Sequence, residues 1–524
     1  MVKEIHWADL AAENLIKINN KDKYVCASGI TPSGTVHVGN FREVLTTELV
    51  VKALEKRGKK VRFIYSWDDY DTFRKVPSNM PKKEMLNKYM GQPIVDIPDP
   101  FDCHKSYAEH HEKEFEKHLP DVFISPTFLY QAKKYRACEY ADLVKNAMQN
   151  KKKIAEILNK YREEPLEENW YPTTIFCSKC NIDETEIINY DDEYQIKYKC
   201  NKCSNEETFD IRKKGIIKLL WRADWPYRWF YEKVDFEPGG KDHSTIGGSY
   251  TTGCDIIKQI LKSEPPQYVM YDFISIKGTG GKISSSKGNV ITLKELLEIY
   301  EPEIIRWIFA STRPNTEFAI SFDLDVITMY EDFDRNERLY FGTEKTELSE
   351  ELLDKEKRIY ELSVVNIQKK QPLQVGFRHL TTIAQIYELN IEKVVEYFKD
   401  EIKNDFDKNR LEVRTKCVIN WLNEYAPDDF KFTINKTSPK INLSDKEKEI
   451  IKSIINILET KKLNDEELHQ EFYQIIQQSK INIKEFFSLF YKILINKERG
   501  PKLANFILTI GKPKVIKLLR ELTT

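Results

Sequence analysis

Residues 24–40 read Tyr24-Val25-Cys26-Ala27-Ser28-Gly29-Ile30-Thr31-Pro32-Ser33-Gly34-Thr35-Val36-His37-Val38-Gly39-Asn40. They join an apolar strand to a turn of small residues, and a pattern typical of an amphipathic helix follows at residues 41–57. Such a turn lets a ligand approach the backbone, and the unpaired amides at the start of the helix attract an anion. The stretch fits a nucleotide-phosphate site and a plain connecting turn equally well, because both use glycine at such positions.

The chain as a whole has the composition of an ordinary globular protein. Its 524 residues are 41% hydrophobic and 31% charged, with a formal net charge of −1. This length suits several domains, and an RNA partner would have to meet a local basic patch. Residues 1–10 lack the apolar core of a signal peptide, and no run approaches the roughly 20 apolar residues that span a bilayer. We therefore expect a soluble, cytoplasmic protein without a membrane segment.

A second predicted strand ends in acidic residues. Residues 61–67 are rich in β-branched and aromatic side chains, and Asp68, Asp69 and Asp71 follow them. In an open parallel sheet the ligand crevice lies at the carboxyl ends of the strands, so these acids would share one edge with the first turn. Asp68 is the better candidate for the crevice because it directly follows the strand, whereas Asp69 and Asp71 fit a solvated acidic loop equally well.

Four cysteines form two C-x2-C pairs, Cys177 with Cys180 and Cys200 with Cys203. Four thiolates at this spacing are typical of a tetrahedral Zn²⁺ site in a small β-ribbon. A redox motif would need only one pair, so the sequence predicts a structural zinc ion. The histidines further upstream match no familiar metal spacing, and we assign them to exposed helix faces: His104, His110, His111 and His118.

A lysine- and serine-rich loop follows a strand pattern at residues 268–276. It reads Lys277-Gly278-Thr279-Gly280-Gly281-Lys282-Ile283-Ser284-Ser285-Ser286-Lys287-Gly288-Asn289. Ammonium groups, hydroxyls and backbone amides together can surround a polyphosphate, whereas a simple linker has no need of clustered positive charge. We therefore predict a phosphate-binding loop. An earlier glycine-bearing loop at residues 238–243 ends in His243, which fits a substrate contact or a helix cap.

From Glu301 onward the pattern is helical to the end of the chain. Residues 450–458 show apolar side chains at helical spacing. Residues 497–520 hold an excess of lysine and arginine, which fits an RNA backbone and a solvated helical surface equally well.

Two of these elements together resemble the HIGH and KMSKS signatures of class I aminoacyl-tRNA synthetases. They are residues 32–40 of the first turn and residues 282–288 of the late loop. A HIGH element that ends in Asn and a serine-rich KMSKS element resemble, more closely, the class I lysyl-tRNA synthetase family. Other stretches similar to that family are spread over nearly the whole chain: Trp221-Arg222-Ala223-Asp224-Trp225-Pro226, Gly240-Lys241-Asp242-His243, Tyr300-Glu301-Pro302-Glu303, Ile320-Ser321-Phe322-Asp323-Leu324-Asp325, Phe377-Arg378-His379-Leu380 and Gly500-Pro501-Lys502-Leu503.

The resemblance implies an ATP-dependent ligase that acts in two steps. L-lysine would attack the α-phosphate of ATP, which binds with Mg²⁺, and the lysyl group would then pass from lysyl-adenylate to the 3′-terminal ribose of tRNA(Lys). The motif match assigns catalytic roles to His37, Asn40, Lys282, Ser284, Ser285 and Lys287. It assigns ATP contacts to Pro32, Ser33, Gly34, His37, Gly39, Asn40, Lys282 and Ser285. The sequence departs from the general KMSKS pattern, with Ser285 at the second-lysine position, Ile283 in place of Met, and Lys287 as a nearby cation.

A lysine substrate also requires an acid for its ε-ammonium, because a desolvated ammonium without a partner is costly. Asp68 is our candidate by position, with Gly29 and Thr31 on the near side of the pocket. The resemblance implies three further residues that would line the aliphatic part of the lysine side chain: Trp221, His243 and Tyr271.

Two alternatives remain open. A sister synthetase for glutamate, glutamine or cysteine would share the fold, but glutamate would need a cation where we place Asp68. A non-catalytic zinc-ribbon RNA-binding protein would explain the cysteines and the basic C-terminus, but it leaves the glycine loops unexplained.

The resemblance implies an α/β fold class. A Rossmann-type parallel-sheet catalytic domain would carry a zinc-ribbon insertion, and an all-α anticodon-binding domain would follow. The expected boundaries are residues 1–120 and 216–300 for the two catalytic halves, 121–215 for the helical and zinc-ribbon insertion, 301–355 for a connecting helical segment, and 356–524 for the anticodon-binding domain. We expect a monomer.

Overall fold

The computed structural model describes residues 6–277 and 290–523. The chain forms two compact units, one made of Met1–Ser321 with Arg335–Lys369 and the other of Phe322–Asp334 with Lys370–Thr524. The described strands are β1 (Lys23–Ile30), β2 (Lys60–Trp67), β3 (Thr127–Tyr130), β4 (Thr173–Ile175), β5 (Thr185–Tyr190), β6 (Gln195–Cys200), β7 (Glu206–Asp210), β8 (Ile217–Leu219), β9 (Phe236–Gly240), β10 (Gln267–Tyr271), β11 (Ile274–Ile276) and β12 (Phe318–Ile320).

The described helices of the N-terminal half are α1 (Trp7–Ile18), α2 (Val38–Lys56), α3 (Lys83–Asn87), α4 (Tyr107–Glu116), α5 (Gln131–Arg136), α6 (Ala141–Gln149), α7 (Lys151–Asn159), α8 (Trp221–Glu232), α9 (Lys241–Ser244) and α10 (Ser249–Gln259). Those of the C-terminal half are α11 (Leu293–Ile299), α12 (Pro302–Ser311), α13 (Asp325–Phe341), α14 (Glu350–Ser363), α15 (Phe377–Ile386), α16 (Ile391–Tyr397), α17 (Asp405–Glu424), α18 (Asp445–Thr460), α19 (Asp465–Ser479), α20 (Ile483–Ile495), α21 (Leu503–Ile510) and α22 (Lys512–Arg520).

A five-stranded parallel sheet forms the centre of the first unit, in the order β10-β9-β1-β2-β3. Strands β1 and β2 pair in register, so that Ile30 lies beside Trp67. Because the two strands run in the same direction, Thr31 and Asp68 leave the sheet at one edge, as the sequence predicts. The predicted Rossmann-type α/β fold is thereby confirmed.

Helix α2 packs on this sheet and fixes the first turn. It begins at Val38, earlier than the predicted start at residue 41, because His37 caps its N-terminus. Phe41, Leu45 and Leu49 are buried on its inner face. The turn is therefore held between a buried strand and a buried helix.

The cysteine pairs belong to a separate small sheet. Strands β5, β6 and β7 form this antiparallel sheet. The strands that flank them in sequence, β4 and β8, pair with each other. Ile196 and Tyr198 of β6 are fully buried in one core with Cys177 and Cys200. The predicted ribbon is thus a three-stranded sheet with its own apolar core.

The strand pattern at residues 268–276 does not form one strand. It divides into β10, which joins the main sheet, and β11, which pairs in parallel with β12. The expectation that the chain is helical from Glu301 onward is therefore wrong at β12. A strand of three residues is too short to show an alternating pattern, and only its pairing with β11 defines it.

The described part of the second unit is helical. The predicted periodicity at residues 450–458 corresponds to α18, whose Ile450, Ile451 and Ile454 are buried in one apolar core with Phe486 and Phe490 of α20. Among residues 6–277 and 290–523, none of the helices combines the length and apolar character that crossing a bilayer requires.

Candidate active site

A cavity of about 460 Å³ opens at the carboxyl edge of the central sheet. The residues predicted to hold the amino acid all line it: Gly29, Thr31, Asp68, Trp221, His243 and Tyr271. Three predicted ATP contacts, Ser33, Gly34 and Asn40, line it as well. Pro32, His37 and Gly39 belong to the same turn and helix start. The structure therefore brings the described members of both predicted sets together.

The predicted phosphate-binding loop lies outside the described residues. Lys282, Ser284, Ser285 and Lys287 accordingly stay predictions from the sequence. The residues after the loop contact the start of α2, because the carbonyl of Ile291 accepts a hydrogen bond from the Val38 amide at 2.8 Å.

His37 caps helix α2 through one ring nitrogen. Its Nδ1 accepts from the Gly39 amide at 3.0 Å, while the His37 amide donates to Oδ1 of Asn40 at 3.1 Å. An accepting Nδ1 places the proton of a neutral imidazole on Nε2. The side chains of His37 and Asn40 carry N–H groups beside the N-terminus of a 19-residue helix, a position that suits a phosphate group.

Glu43 is a cavity residue that the sequence interpretation did not single out. Its Oε1 accepts from the Gly29 amide at 2.8 Å, and its Oε2 accepts from the Tyr271 hydroxyl at 2.6 Å. Loss of solvent raises the pKa of Glu43 to about 8, although both hydrogen bonds oppose the rise. Its spacing from Asn40, three residues along one helix, places both on one face and is the signal that could have found it.

Asp68 enters the cavity as one half of an ion pair. Arg228 donates from Nη1 to Oδ1 of Asp68 at 2.5 Å and from Nη2 to Oδ2 at 3.3 Å. The Nε of Arg228 also lies 3.4 Å from Oδ2 of Asp224, and all three side chains are buried. Burial raises the pKa of Asp68, and the charge of Arg228 opposes the rise. The negative charge of Asp68 is therefore already compensated by Arg228 within the protein.

The two neighbouring acids both have partners within the protein. Asp69 is buried and accepts from the Ala132 amide at 2.7 Å, and burial raises its pKa to about 7. Asp71 accepts from the Thr31 hydroxyl at 2.7 Å and forms an ion pair with the buried Lys218. The solvated-loop alternative is therefore wrong for Asp69, whereas Asp71 is half-buried and ion-paired with Lys218 of β8.

Aromatic rings form one side of the cavity. Trp221 stacks on Trp225 with ring centroids 5.1 Å apart, and the His243 ring lies 5.9 Å from Trp221. Trp221 is oriented by a hydrogen bond from its Nε1 to Oγ of Ser249 at 3.1 Å. His243 lies inside helix α9, whose cap is Gly240, so the helix-cap alternative for His243 is wrong.

Comparison with known proteins decides the family. The family model for tRNA synthetases class I (K) matches residues 5–366, more than half of the chain. The chain belongs to the class I lysyl-tRNA synthetase family. It is similar to the lysine–tRNA ligase of Borrelia garinii subsp. bavariensis, with 51% identity over 99% of this chain and 100% of that protein.

More distant relatives of this synthetase carry the same name. It is 44% identical to the lysine–tRNA ligase of Treponema pallidum, over 99% of this chain and 98% of that one. It is 42% identical to the lysine–tRNA ligase of Pyrococcus horikoshii, over 98% of this chain and 99% of that one. Both relatives match this synthetase over nearly their full length.

The four cysteines of the synthetase's ribbon fit one zinc ion. The Sγ atoms of Cys177 and Cys203 lie 3.6 Å apart, as do those of Cys180 and Cys200. All four sulfur atoms lie within 4.8 Å of one another. Thiolates bound at about 2.3 Å to a tetrahedral Zn²⁺ stand about 3.8 Å apart, so the donor set matches the ion.

A second cluster of metal-ligand residues lies on the same unit of the synthetase. Asp99, Cys103, His104 and His110 each bring one ligand atom within 4.8 Å of the others. The Sγ of Cys103 lies 3.1 Å from Nδ1 of His104 and 3.2 Å from Nδ1 of His110. Carboxylate, thiolate and imidazole groups are the usual ligands of Zn²⁺, so this set also fits the ion.

The expectation that the upstream histidines occupy exposed helix faces is wrong. His111 is buried, and the other three are half-buried: His104, His110 and His118. The spacing Asp-x3-Cys-His-x5-His is the sequence signal of the second cluster. It was missed because three of the four ligands come from a loop before α4 rather than from a repeated Cys or His pair.

Proposed function

We propose that this synthetase activates L-lysine and transfers it to tRNA(Lys) in the cavity at the sheet edge. In the first step the lysine carboxylate forms a bond to the α-phosphate of ATP, and pyrophosphate leaves. In the second step a ribose hydroxyl forms an ester bond to the lysyl carbonyl carbon, the bond to the adenylate oxygen breaks, and AMP leaves with release of the hydroxyl proton. Neither step needs a covalent enzyme intermediate, so positioning and charge stabilisation carry catalysis.

The amino-acid pocket carries the assignment to lysine. Its described walls combine aromatic faces for an aliphatic stem with the carboxylates of Glu43 and Asp68, which suits a substrate that ends in an ammonium group. Glutamate would instead require a cation there, and the cavity offers Glu43 and Asp68. The single observation that supports lysine best is this pairing of an aromatic wall with two carboxylates in one cavity.

Glu43 is our choice for the ε-ammonium partner. Its carboxylate accepts hydrogen bonds from two neutral donors, the Gly29 amide and the Tyr271 hydroxyl, and these leave its charge to a cationic ligand. Asp68, by contrast, is already ion-paired with Arg228, which also pairs with Asp224. A bound ammonium would therefore gain more from Glu43 than from Asp68, whose role is to hold Arg228.

The binding of lysine should depend on pH through Glu43. With a pKa of about 8 the carboxyl is mostly protonated at neutral pH in the empty cavity. Only its ionised form attracts the ammonium, and the lysine side chain stays protonated throughout this range. We expect the Kd for lysine to rise about tenfold for each pH unit below 8 and to level off above it.

Calorimetry of lysine binding between pH 6 and pH 9 measures this dependence. The variant Glu43→Gln separates Glu43 from Asp69, whose pKa of about 7 lies in the same range. The slope should disappear in Glu43→Gln, and an unchanged slope in that variant would assign the pH dependence to another group.

His37 and Asn40 act on the phosphates in this proposal. Nε2 of His37 and the Asn40 amide would donate to oxygens that gain charge as pyrophosphate leaves, and Lys282 with Ser284, Ser285 and Lys287 would complete the site by motif match. We expect His37→Ala to lower the rate of adenylate formation about 10²-fold. Lys282→Ala should lower it as well, with little loss of fold.

Stopped-flow measurement of adenylate formation tests His37. Because His37 also caps α2, His37→Ala should cost about 1 kcal/mol of unfolding free energy. His37→Asn restores the cap but not the ring, so it should recover stability without recovering the rate. Full activity in His37→Asn would contradict the catalytic role.

The experiment that tests the function is ATP–pyrophosphate exchange with each amino acid, with and without tRNA. Exchange that depends on lysine supports the proposal, and exchange that depends on glutamate overturns the assignment of lysine as the substrate.

Sedimentation of the purified chain tests the expected monomer. The ligand sets also lead us to propose two structural zinc ions, one at each cluster.

A further inference from the structure

A separate cavity of about 400 Å³ lies beside β10, the last strand of the central sheet. Helix α1, strand β10 and the turn at residues 313–315 line it, and none of these lining residues belongs to the amino-acid cavity. We call this cavity the edge pocket. Its volume lies in the range of small-ligand sites.

Strand β10 turns one row of backbone groups toward the edge pocket. The Gln267 amide donates toward β9, to the carbonyl that precedes that strand, at 2.8 Å. Because successive residues of a strand direct their backbone groups to opposite sides, Tyr268, Met270 and Asp272 face away from β9. The Asp272 amide has this direction, since it donates to the carbonyl of Pro314 at 2.8 Å. In the described part of the chain, the Tyr268 carbonyl and the Met270 amide have no backbone partner on that side.

Two buried side-chain atoms of the edge pocket also lack a partner. They are Nε1 of Trp7, which is a donor, and Oε1 of Gln267, which is an acceptor, and neither has a hydrogen-bond partner among the described residues. A buried polar atom without a partner costs free energy unless a bound molecule meets it. Together with the free backbone groups of β10, the pocket offers donors and acceptors to a ligand.

The rest of the wall is apolar and carries positive charge. Leu10, Ala11, Val269 and Pro314 contribute apolar side chains, and the exposed Arg313 contributes a guanidinium. The described lining residues include no aspartate or glutamate. The wall therefore disfavours a cationic ligand and favours one that joins an apolar ring to an anionic group.

The turn on the far side of the edge pocket is held from inside the protein. Arg42 of α2 is 2% exposed. Its Nη2 donates to the carbonyls of Arg313 at 3.2 Å, Pro314 at 2.7 Å and Thr316 at 2.8 Å. This wall is therefore already in place before a ligand binds, which lowers the cost of binding.

Adenine matches the free groups of β10. One edge of adenine carries an amino donor beside a ring-nitrogen acceptor, and the Tyr268 carbonyl and Met270 amide are an acceptor and a donor two residues apart. Another ring nitrogen suits Nε1 of Trp7, and a ribose hydroxyl suits Oε1 of Gln267. A peptide strand fits less well, because Pro314 already binds the next outward amide of β10 and leaves a short edge for pairing.

We propose that the edge pocket binds an adenine mononucleotide such as AMP. The Tyr268 carbonyl accepts from the amino group of the base, the Met270 amide donates to the adjacent ring nitrogen, and Arg313 binds the phosphate. This site is additional to the two-step reaction proposed above, whose residues line the amino-acid cavity and the first turn.

Calorimetry with AMP tests the site in the full chain. A non-hydrolysable lysyl-adenylate analogue first saturates the amino-acid cavity, and about one AMP per chain should then still bind. Absence of AMP binding under these conditions would overturn the proposal. The titration of the analogue itself reports on the proposed function, so that failure there is distinguishable from failure at the edge pocket.

Inosine monophosphate tests how the base is recognised. It carries a carbonyl where AMP carries the amino group, and its adjacent ring nitrogen is a donor rather than an acceptor. It should therefore bind about tenfold more weakly than AMP to the chain saturated with the analogue. Equal binding of the two nucleotides would contradict recognition by β10.

Two substitutions of Met270 separate its amide from its side chain. Met270→Pro removes the outward N–H, which the pairing with β9 does not use, and proline is tolerated on edge strands. Met270→Ala keeps the N–H and removes most of the side chain. Met270→Pro should bind AMP about tenfold more weakly than Met270→Ala, while both bind the analogue as the wild type does. Equal AMP binding by the two variants would overturn the role of the amide.

Arg313→Ala tests the phosphate contact independently of β10. It should weaken the binding of AMP about tenfold and leave the binding of adenosine, which has no phosphate, unchanged. Arg335→Ala is the matched control, because Arg335 is also an exposed arginine of the first unit but does not line the edge pocket. Equal losses of AMP binding in the two variants would show a general charge effect and overturn the proposal.

Discussion

Glu43→Gln is expected to lower kcat/KM for lysine by about 10²- to 10³-fold at pH 8.5, where the carboxylate is ionised. The substitution keeps the size of the side chain and an acceptor for the Gly29 amide, which Oε1 binds at 2.8 Å. It removes the charge that would meet the ε-ammonium in a site with little solvent. The loss should appear in the KM for lysine, with the KM for ATP unchanged.

Two other acids provide the comparison for Glu43. Glu237 is buried and likewise carries a raised pKa, of about 7, but Trp225 and Trp229 donate hydrogen bonds to it and it does not line the cavity. Glu237→Gln should leave the KM for lysine within a few-fold of the wild type. Asp68→Asn should instead lower the unfolding free energy by about 3–5 kcal/mol, because it leaves the charge of Arg228 buried with a weaker partner.

These three variants distinguish the two candidate ammonium partners. Should Asp68→Asn abolish lysine binding while the folded protein retains its stability, and should Glu43→Gln bind normally, then Asp68 would be the partner, as its position after β2 suggests. Steady-state kinetics and chemical denaturation, measured on the same preparations, separate binding from stability.

The sequence identifies the parts of the site that are local in the chain. The turn at residues 24–40, the strand that ends before Asp68 and the helix after His37 follow from hydrophobic pattern and glycine placement, and the parallel sheet brings their ends together. Gly29, Thr31 and Asp68 are accordingly found in one cavity, whereas its Trp221, His243 and Tyr271 were assigned by the family resemblance. Position along the chain is enough wherever two consecutive β-α units share one sheet edge.

Contacts between distant segments could not be predicted in this way. The ion pair of Asp68 joins residues 160 positions apart, and the Tyr271 hydroxyl reaches Glu43 across 228 positions. The hydrophobic periodicity of a sequence does not predict such pairs, since they depend on how α8 and β10 lie against the first β-α unit. The sequence therefore identifies the acidic edge of the sheet but not which acid keeps an available charge.

The purified chain is expected to hold about two Zn²⁺ ions, where the cysteine pattern alone predicts one. Cys177→Ser and Cys103→Ser should each remove about one ion, because each breaks a different four-residue ligand set. The losses should be independent, since structural zinc sites fold or unfold with their own segments. Elemental analysis of protein purified without added chelator gives the count.

The two losses should differ in their consequences. Cys177→Ser should destabilise the ribbon and expose the core that contains Ile196 and Tyr198, whereas Cys103→Ser should loosen the segment before α4, where Asp99 accepts three backbone hydrogen bonds. Cys138→Ser serves as the control, because Cys138 belongs to neither ligand set and should leave two ions bound. One ion in the wild type, lost in Cys177→Ser and kept in Cys103→Ser, would mean that the second cluster is a hydrogen-bonded group without a metal. Two ions, each lost with its own cysteine, would establish that both clusters bind zinc.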